Sequence, residues 1–336
     1  MSTLRIFNVS DYVHAGAAPR SKNSFSKPPS YYAGVRELPD GAYAASRLPT
    51  GGIAFMLNHI FERITAEDYD DETLVFCVDD VPTIKRKMYH DVLKDEMGYK
   101  ATRGEKSLEV SIQRAAIKDV LSLVSHNVLF AEGYEADDII ASLVFEYKSS
   151  YDHIYIHTRD TDLYCLVDDK VSIEPVGIQG KVVAKENFSS VMSDKAGYPL
   201  PFNGTLIEKL YYGDRSDNIP GIGEFFADKV RRIITPDKYK FLVNLKLFKA
   251  WVGKAVEYHP LVMGITDLLL PLEVPEEFLT LYDEAIDVNK LCFLGNRVQN
   301  KYCKKNNWDN DDFPDVREVL NYYTDEFYMR GGRCNV

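Results

Sequence analysis

The chain has 336 residues, 45% of them hydrophobic, which is enough to bury a sizeable core or one core with a satellite lobe. There is no run of about 18 apolar residues, and the N-terminus lacks the regions of a signal peptide, so neither a membrane span nor secretion is expected. Five cysteines without close spacing favour a reduced cytosol and no zinc, and the net charge of −11 argues against a general nucleic-acid binder unless basic residues cluster locally.

Short apolar runs alternate with segments of helical period through the first half of the chain. The runs predict buried strands at residues 4–9, 73–79, 153–157 and 171–176, while the run 128–130 leads into a predicted helix. The segments between them predict helices from Pro49-Thr50-Gly51-Gly52 onward and at about 84–95, 107–126 and 135–148. This alternation is typical of an α/β fold with a mainly parallel central sheet and helices on both faces.

Two stretches do not fit that alternation. Residues 17–50 are rich in Pro, Ser, Gly and Tyr and are interpreted as a long loop or insertion. From about residue 200 the pattern becomes mostly helical, and it ends in a tail whose role the sequence does not indicate. The predicted organisation is therefore a core at 1–200 and a helical region at 201–336.

Acidic residues recur where the predicted strands end. The set comprises Asp11, Asp79, Asp80, Asp160 and Asp162 after strands, Glu135, Asp137 and Asp138 at a helix start, and Asp214 and Asp217 in a turn. Each alone is more simply read as a helix cap or a turn residue. Function gathers at the carboxyl ends of strands in open parallel sheets, however, and so many converging carboxylates require protons or cations. Hard oxygen ligands select Mg²⁺ or Mn²⁺, and two such ions are the usual device for cleaving phosphodiesters.

A tight turn and a basic segment complete the pattern. Pro220-Gly221-Ile222-Gly223 precedes a predicted helix, and glycines at a helix start let backbone N–H groups approach a phosphate. Lysines and arginines cluster between Lys85 and Lys118, with Tyr89 and Tyr99 among them. This segment is either a solvated helical face or a strand-binding element in which cations hold phosphates and rings stack on bases.

These strings resemble the flap-endonuclease and 5′–3′ exonuclease family, which includes the 5′ nuclease domain of bacterial DNA polymerase I and phage enzymes of the RNase H type. The resemblance rests on Glu132-Gly133-Tyr134-Glu135-Ala136-Asp137-Asp138, Thr158-Arg159-Asp160-Thr161-Asp162-Leu163, Gly213 to Gly223, and Tyr99-Lys100-Ala101-Thr102-Arg103. It covers roughly residues 4–270 in order. The chain length and compact arch are more similar to a phage-encoded enzyme than to a polymerase domain.

The resemblance implies a two-metal site, a helical arch at about 84–126 and a duplex-gripping helix–three-turn–helix at about 210–232. Carried over by residue, the metal ligands would be Asp79, Glu135, Asp137, Asp138, Asp160, Asp162, Asp214 and Asp217. Lys100 and Arg86 would act near the scissile phosphate, and Arg103, Gly221, Gly223 and Lys229 would bind nucleic acid. Two Mg²⁺ or Mn²⁺ ions are implied, with K⁺ at the helix–three-turn–helix.

One position departs from the family pattern. The family's first strand ends in Asp, and here Asn8 takes that place, with Asp11 three residues further on. In a continuing strand residues 8 and 11 would face opposite sides of the sheet, whereas a turn after Val9 would let Asp11 compensate for Asn8, so both are candidate ligands.

The favoured function is a 5′–3′ exonuclease and flap endonuclease that also removes RNA primers. Its expected partners are DNA with a 5′ flap or single-stranded 5′ end, RNA–DNA hybrids and a single-strand-binding protein. A monomer in the cytoplasm (of the host, if phage-encoded) is expected. A non-catalytic DNA-binding relative, permitted by Asn8, and a PIN-like ribonuclease, normally much shorter, stay open as alternatives.

Overall fold

The computed structural model describes residues 2–17, 30–37, 43–65, 72–94, 98–104, 107–177, 181–191, 209–210, 212–221, 260–284, 286 and 314–332. By contacts the chain divides into two compact units, each assembled from three chain segments. The first unit consists of Met1–Asn8, Asp79–Glu105 and Leu129–Thr280. The second consists of Val9–Val78, Lys106–Val128 and Leu281–Val336.

The first unit is built on parallel strands. Its elements are β1 (Thr3–Asn8), α3 (Thr83–Leu93), α5 (Ala136–Tyr147), β6 (His153–Thr158), a 3-10 helix (Thr161–Leu166), β7 (Val171–Pro175), β8 (Gly213–Asp214), β9 (Ile219–Pro220), α6 (Pro260–Leu269) and a 3-10 turn (Glu276–Phe278). Strand β6 lies between β1 and β7 and pairs parallel with both, with Ile6 opposite Ile156 and Ile156 opposite Ile173. All three isoleucines are fully buried.

Helix α5 buries the face that the sequence predicts. Ile139, Ile140, Leu143 and Val144 are among its buried residues, and the helix contacts β1. Burial of such aliphatic side chains is the main stabilising contribution to a core of this kind. The prediction of an α/β fold with a mainly parallel sheet is confirmed.

The second unit is mostly helical, with an antiparallel hairpin. Its elements are α1 (Val9–Ala17), β2 (Ser30–Glu37), β3 (Tyr43–Pro49), α2 (Gly51–Ile64), β4 (Glu72–Cys77), α4 (Leu108–Ser122) and α7 (Pro314–Met329), while β5 (Val128–Leu129) lies at the boundary. Helices α1 and α2 cross closely, because a Cβ on Gly52 would lie 2.7 Å from the Cα of Val13. Helix α7 packs on α4 and the hairpin.

The structure refines the sequence-based expectations at three places. Within residues 17–50, interpreted as a long loop or insertion, 30–37 and 43–49 are not loop but pair as an antiparallel hairpin. The first strand ends at Asn8 and a helix follows at once, so the chain leaves the strand before Asp11. The segment 213–220 contains a short two-stranded ladder, and most of the region expected to be mostly helical lies outside the described residues.

None of the helices that the structure describes combines the length and apolar character needed to cross a membrane. Two cysteines within the described part, Cys77 and Cys165, are buried.

Candidate metal centre

Six carboxylates line one small cavity of about 30 Å³ in the first unit. They are Glu135, Asp137, Asp160, Asp162, Asp214 and Asp217. Asp160 and Asp162 follow β6, and Glu135 and Asp137 stand at the start of α5. Asp214 ends β8, and Asp217 lies in the turn between β8 and β9. A single water needs about 30 Å³ of liquid volume, so the cavity suits small ions and water rather than a nucleotide.

The start of α5 is held by acidic side chains on several sides. Asp79 accepts a hydrogen bond from the backbone N–H of Ala136 at 2.8 Å, and Asp138 accepts one from the N–H of Glu135 at 3.0 Å. Negative charge at a helix N-terminus satisfies the unpaired N–H groups there and the helix dipole. Two of the acidic residues expected at the metals therefore also cap the helix.

Asp138 is enclosed by the protein. It is fully buried, its Oδ1 accepts from the Leu272 N–H at 2.7 Å, and the Lys85 ammonium lies 3.1 Å away. Burial lowers the pKa of Lys85, but Asp138 and Glu135 outweigh it and raise that pKa above its ordinary value. The geometry thus favours a structural ion pair at Asp138 over the predicted metal ligation.

Asp137 is buried among other acidic side chains. Its pKa is raised well above the ordinary value by burial, and then by the charges of Asp160, Asp79, Glu135 and Asp162. The Asn8 side-chain amide donates to its Oδ1 at 3.1 Å, while the Asn8 carbonyl oxygen is buried without a hydrogen-bond partner. An unsatisfied buried oxygen costs free energy unless a cation or water meets it.

Lys209 lies between two of the other carboxylates. Its ammonium donates hydrogen bonds to Asp162 and to Asp214. Burial and the neighbouring Asp160 raise the pKa of Asp162 to about 7, against the opposing effect of Lys209. Burial also acts on Asp214, yet hydrogen bonds from Lys209 and Ser216 hold the pKa of Asp214 below its usual range.

The Tyr99 hydroxyl lies between two carboxylates, those of Glu135 and Asp217. The hydroxyl oxygen lies 2.8 Å from Glu135 Oε2 and 2.8 Å from Asp217 Oδ2. Burial, followed by these two carboxylates, raises the pKa of Tyr99, so the phenol stays protonated. A neutral phenol has one proton to donate, so it cannot satisfy both carboxylates by itself.

The segment 98–103 is fixed against the turn 214–218. The backbone N–H of Lys100 donates to the Asp217 carbonyl at 3.0 Å, and the Asn218 amide donates to the Gly98 carbonyl at 3.1 Å. Lys100 and Asn218 adopt the left-handed backbone, with φ of 60° and 62°. The conformation carries the Lys100 ammonium to Glu135, and Arg103 pairs with Asp217.

Acidic side chains outnumber cationic ones at this centre. Asp79 and Asp138 join the six lining carboxylates, and four cationic side chains oppose these eight: Lys85, Lys100, Arg103 and Lys209. Burial together with the excess of acidic groups raises the pKa values of Asp137 and Asp162, and further cations would relieve that excess. The all-oxygen donor set and the unsatisfied Asn8 carbonyl fit Mg²⁺ or Mn²⁺.

The structure brings together most of the predicted site residues and separates a few. The residues that meet, as described above, are Asn8, Asp79, Glu135, Asp137, Asp160, Asp162, Asp214, Asp217, Lys100 and Arg103. Arg86 is exposed on α3, and Asp11 lies on α1 in the second unit. Gly221 ends the described turn, and Gly223 and Lys229 lie outside the described residues.

Tyr89 and Tyr99 are 1% and 4% exposed, so neither can stack on a base as the basic segment had suggested. Sequence reasoning also passed over Lys85 and Lys209 as site residues. A signal for Lys85 existed, because residues four apart share a helix face and Lys85 stands four before the buried Tyr89. No comparable signal marks Lys209.

Comparison with known proteins finds relatives of this chain. The family model for the N-terminal, resolvase-like domain of 5′–3′ exonucleases matches residues 29–193. The 5′–3′ exonuclease of Bacillus subtilis is 35% identical over 242 residues, covering 69% of this chain and 73% of that protein. The chain belongs to the 5′–3′ exonuclease family.

Other members of the 5′–3′ exonuclease family match over different shares of their length. The Aquifex aeolicus 5′–3′ exonuclease is 29% identical over 257 residues, 72% of this chain and 80% of that protein. The DNA polymerase I of Caldicellulosiruptor bescii is 31% identical over 191 residues, and the match spans 55% of this chain but only 21% of that polymerase. Among solved structures, the bacteriophage T5 D15 flap endonuclease in complex with DNA and metal ions has a TM-score of 0.46 at 18% identity, covering 94% of this chain and 99% of that one.

Proposed function

We propose that the chain is a metal-dependent 5′ nuclease that hydrolyses phosphodiester bonds in DNA with a 5′ flap or single-stranded 5′ end. The observation that supports this most directly is the cavity lined by six carboxylates, around which acidic side chains outnumber the neighbouring cationic ones. Family membership supplies the reaction type, and the donor set supports Mg²⁺ or Mn²⁺.

Each group of carboxylates would hold one ion. Glu135, Asp137 and Asp160, with the Asn8 carbonyl, form the donor set nearest α5, and Asp162, Asp214 and Asp217 form the other. When bound, the two ions would activate a water and stabilise the charge that develops on the phosphate.

Lys100 is the cation we assign to the phosphate at the cut. Its ammonium already lies at the carboxylate cavity beside Glu135, held there by a fixed backbone. Preorganised cations stabilise developing negative charge more effectively than mobile ones. For Arg86, which is exposed, and for Arg103, Gly221, Gly223 and Lys229, we propose contacts to the nucleic-acid backbone, where charge or close backbone approach is sufficient.

RNA–DNA hybrids are proposed as a second substrate class. Metal-assisted attack of water on a phosphodiester makes no use of the 2′ position, so the chemistry does not itself distinguish the two sugars. Binding of K⁺ at the turn after Gly221, partnership with a single-strand-binding protein and a monomeric state remain sequence-based proposals.

A labelled 5′-flap duplex and a labelled RNA–DNA hybrid test the proposal, each incubated in Mg²⁺ and in excess chelator. Cleavage should require the metal, and Asp160→Asn should lower turnover by orders of magnitude with a smaller loss of binding. The matched control is Asp169→Asn, which changes an exposed carboxylate on the same unit. Cleavage that continues unchanged in chelator would exclude a metal mechanism, and wild type inactive with every divalent ion would favour the non-catalytic relative.

A further inference from the structure

Lys209 occupies the position between two carboxylates that the proposed function assigns to the second metal ion. Its ammonium is hydrogen-bonded to Asp162 Oδ1 and to Asp214 Oδ2. The side chain is 23% exposed, so it is neither free in solvent nor locked in the core. The Lys209 ammonium therefore neutralises part of the carboxylate charge that a metal ion would otherwise neutralise.

The remaining oxygen of Asp214 is committed elsewhere. Its Oδ1 accepts from the Ser216 N–H at 2.8 Å and from the Ser216 hydroxyl at 2.7 Å, both within the turn. Asp214 therefore has one oxygen to offer an ion, and Lys209 holds it. A divalent ion needs carboxylate oxygens at about 2.1–2.6 Å, so an ion on this oxygen and the ammonium would repel each other at close range.

We propose that Lys209 is a built-in competitor of the second metal ion, which must displace the ammonium from Asp162 and Asp214 in order to bind. The inference rests on the proposed function, because it concerns the filling of the same centre. The metal-free protein gains a counter-ion for two carboxylates, and the second ion binds more weakly than its ligands alone would allow. Lys209 thereby sets the metal concentration at which the centre becomes complete.

Metal titration of the full chain without DNA tests this directly. Calorimetry with Mn²⁺ at fixed ionic strength is performed on wild type, Lys209→Met, which keeps the stem, and Lys209→Arg, which keeps the charge. The exposed Lys185→Met, which removes the partner of Asp169, is the matched control. Lys209→Met should tighten the weaker binding step by about tenfold or more, because one unit charge a few ångströms away is removed. Lys209→Arg and Lys185→Met should stay close to wild type.

Thermal unfolding supplies a readout without turnover. In chelator, Lys209→Met should melt below wild type, since two carboxylates lose their counter-ion. The same variant should gain more from added Mn²⁺ than wild type does.

Wild type itself provides a measurement that needs no variant. An amine-reactive label, quantified by peptide mass spectrometry, should modify Lys209 slowly in chelator and faster in Mn²⁺, while Lys185 changes little. Unchanged or weaker Mn²⁺ binding in Lys209→Met, or metal-independent labelling of Lys209, would overturn the inference while leaving the nuclease proposal intact. Wild type that binds no Mn²⁺ at millimolar concentration would overturn both.

Discussion

At the residue scale, Asn8 stands where the resemblance to the family leads us to expect an aspartate. Its side-chain N–H group donates to Asp137, which faces four other acidic groups. The side-chain carbonyl oxygen of Asn8 is buried without a hydrogen-bond partner. We expect Asn8 to weaken metal binding, because it carries no negative charge, and to stabilise the protein in chelator, because it donates to Asp137.

The substitution Asn8→Asp should separate these two effects. In chelator it should lower the melting temperature, because a new charge replaces a hydrogen-bond donor beside Asp137. In Mg²⁺ the half-saturating metal concentration for cleavage should fall, since the centre gains an anionic ligand. The control is Asp11→Asn, which should change neither. Loss of cleavage on changing Asp11, with no effect at residue 8, would identify Asp11 as the ligand.

The phenol of Tyr99 should hold Glu135 and Asp217 in place for the metals. Tyr99→Phe keeps the buried ring and loses about 1–2 kcal/mol of hydrogen bonding. We expect the half-saturating Mg²⁺ concentration to rise several-fold with little change in affinity for flap DNA.

Tyr89→Phe is the matched control for Tyr99, because the Tyr89 hydroxyl donates to the Asn218 carbonyl instead of a carboxylate. It should lower stability by a similar amount and leave the metal dependence unchanged. Equal metal dependence in both variants would assign Tyr99 a purely structural role.

At the element scale, α5 is held by residues far from it in sequence. Residues 271–279, here termed the α5 strap, run alongside the helix and are hydrogen-bonded to it. The Leu272 N–H donates to Asp138 and the Val274 N–H donates to Ser142. The Leu279 carbonyl accepts from the Tyr147 hydroxyl. Lys85 reaches the same Asp138 from α3. Asp138 thus joins α3, α5 and the strap, and it fixes the start of the helix that presents Glu135 and Asp137.

Removing the Asp138 carboxylate should lower the free energy of unfolding more than it weakens metal binding. Asp138→Asn leaves Lys85 as a buried cation without its main partner, which typically costs about 3–5 kcal/mol. The double variant Lys85→Met with Asp138→Asn should lose less than the sum of the single changes. Urea unfolding in chelator measures both.

The exposed pair Lys185 and Asp169 is the comparison, where the same double change should cost at most about 1 kcal/mol. A stable Asp138→Asn protein with a raised Mg²⁺ requirement would instead make Asp138 a ligand.

The elements themselves were largely predictable, and their contacts less so. Parallel strands bring their carboxyl ends to one edge, so acidic residues after β6 and at the start of α5 could be expected to meet. Strand and helix period located β1, β6, β7 and α5. The hairpin at 30–49 was missed because it has few apolar residues in alternation: Tyr32 and Val35 are exposed.

Within the site, the side-chain type was predictable and its direction was not. One residue along a helix is about 100° of rotation, so Lys85 and Arg86 look alike as charges yet only Lys85 faces the carboxylates. The burial of Tyr99 depends on the turn 214–218, more than a hundred residues away, and local sequence does not encode that contact.

At the scale of the whole molecule, the chain carries 51 acidic and 40 basic residues, and part of this acidic excess lies at the carboxylate cavity. Metal binding at this cavity should raise the free energy of unfolding, because ions that bind only the folded state stabilise it.

Magnesium should therefore raise the melting temperature, and by more at pH 8 than at pH 6. The pKa of Asp162 is raised to about 7 and that of Asp137 is raised as well, so the folded metal-free protein binds protons that the unfolded chain releases above about pH 4. In chelator, stability should then fall as pH rises through 7.

Mg²⁺ at a hundred times its Kd should add about 2.7 kcal/mol for each ion bound and remove most of that pH dependence. Scanning calorimetry at constant ionic strength measures this, with Asp137→Asn as the variant in which the effect should be smaller. A melting temperature insensitive to Mg²⁺ at both pH values would contradict the charge argument.

The interleaving of the two compact units has a consequence for how the chain is made. Each unit is assembled from three separate segments, and β1, at the extreme N-terminus, pairs with a strand about 150 residues later. The first unit also includes the α5 strap, so it cannot close until residue 280 has left the ribosome. Long-range pairing of this kind folds slowly and leaves partners exposed meanwhile. The first unit should therefore acquire its structure only after residue 280 has been synthesised, and a fragment cut at residue 200 would lack parts of both units.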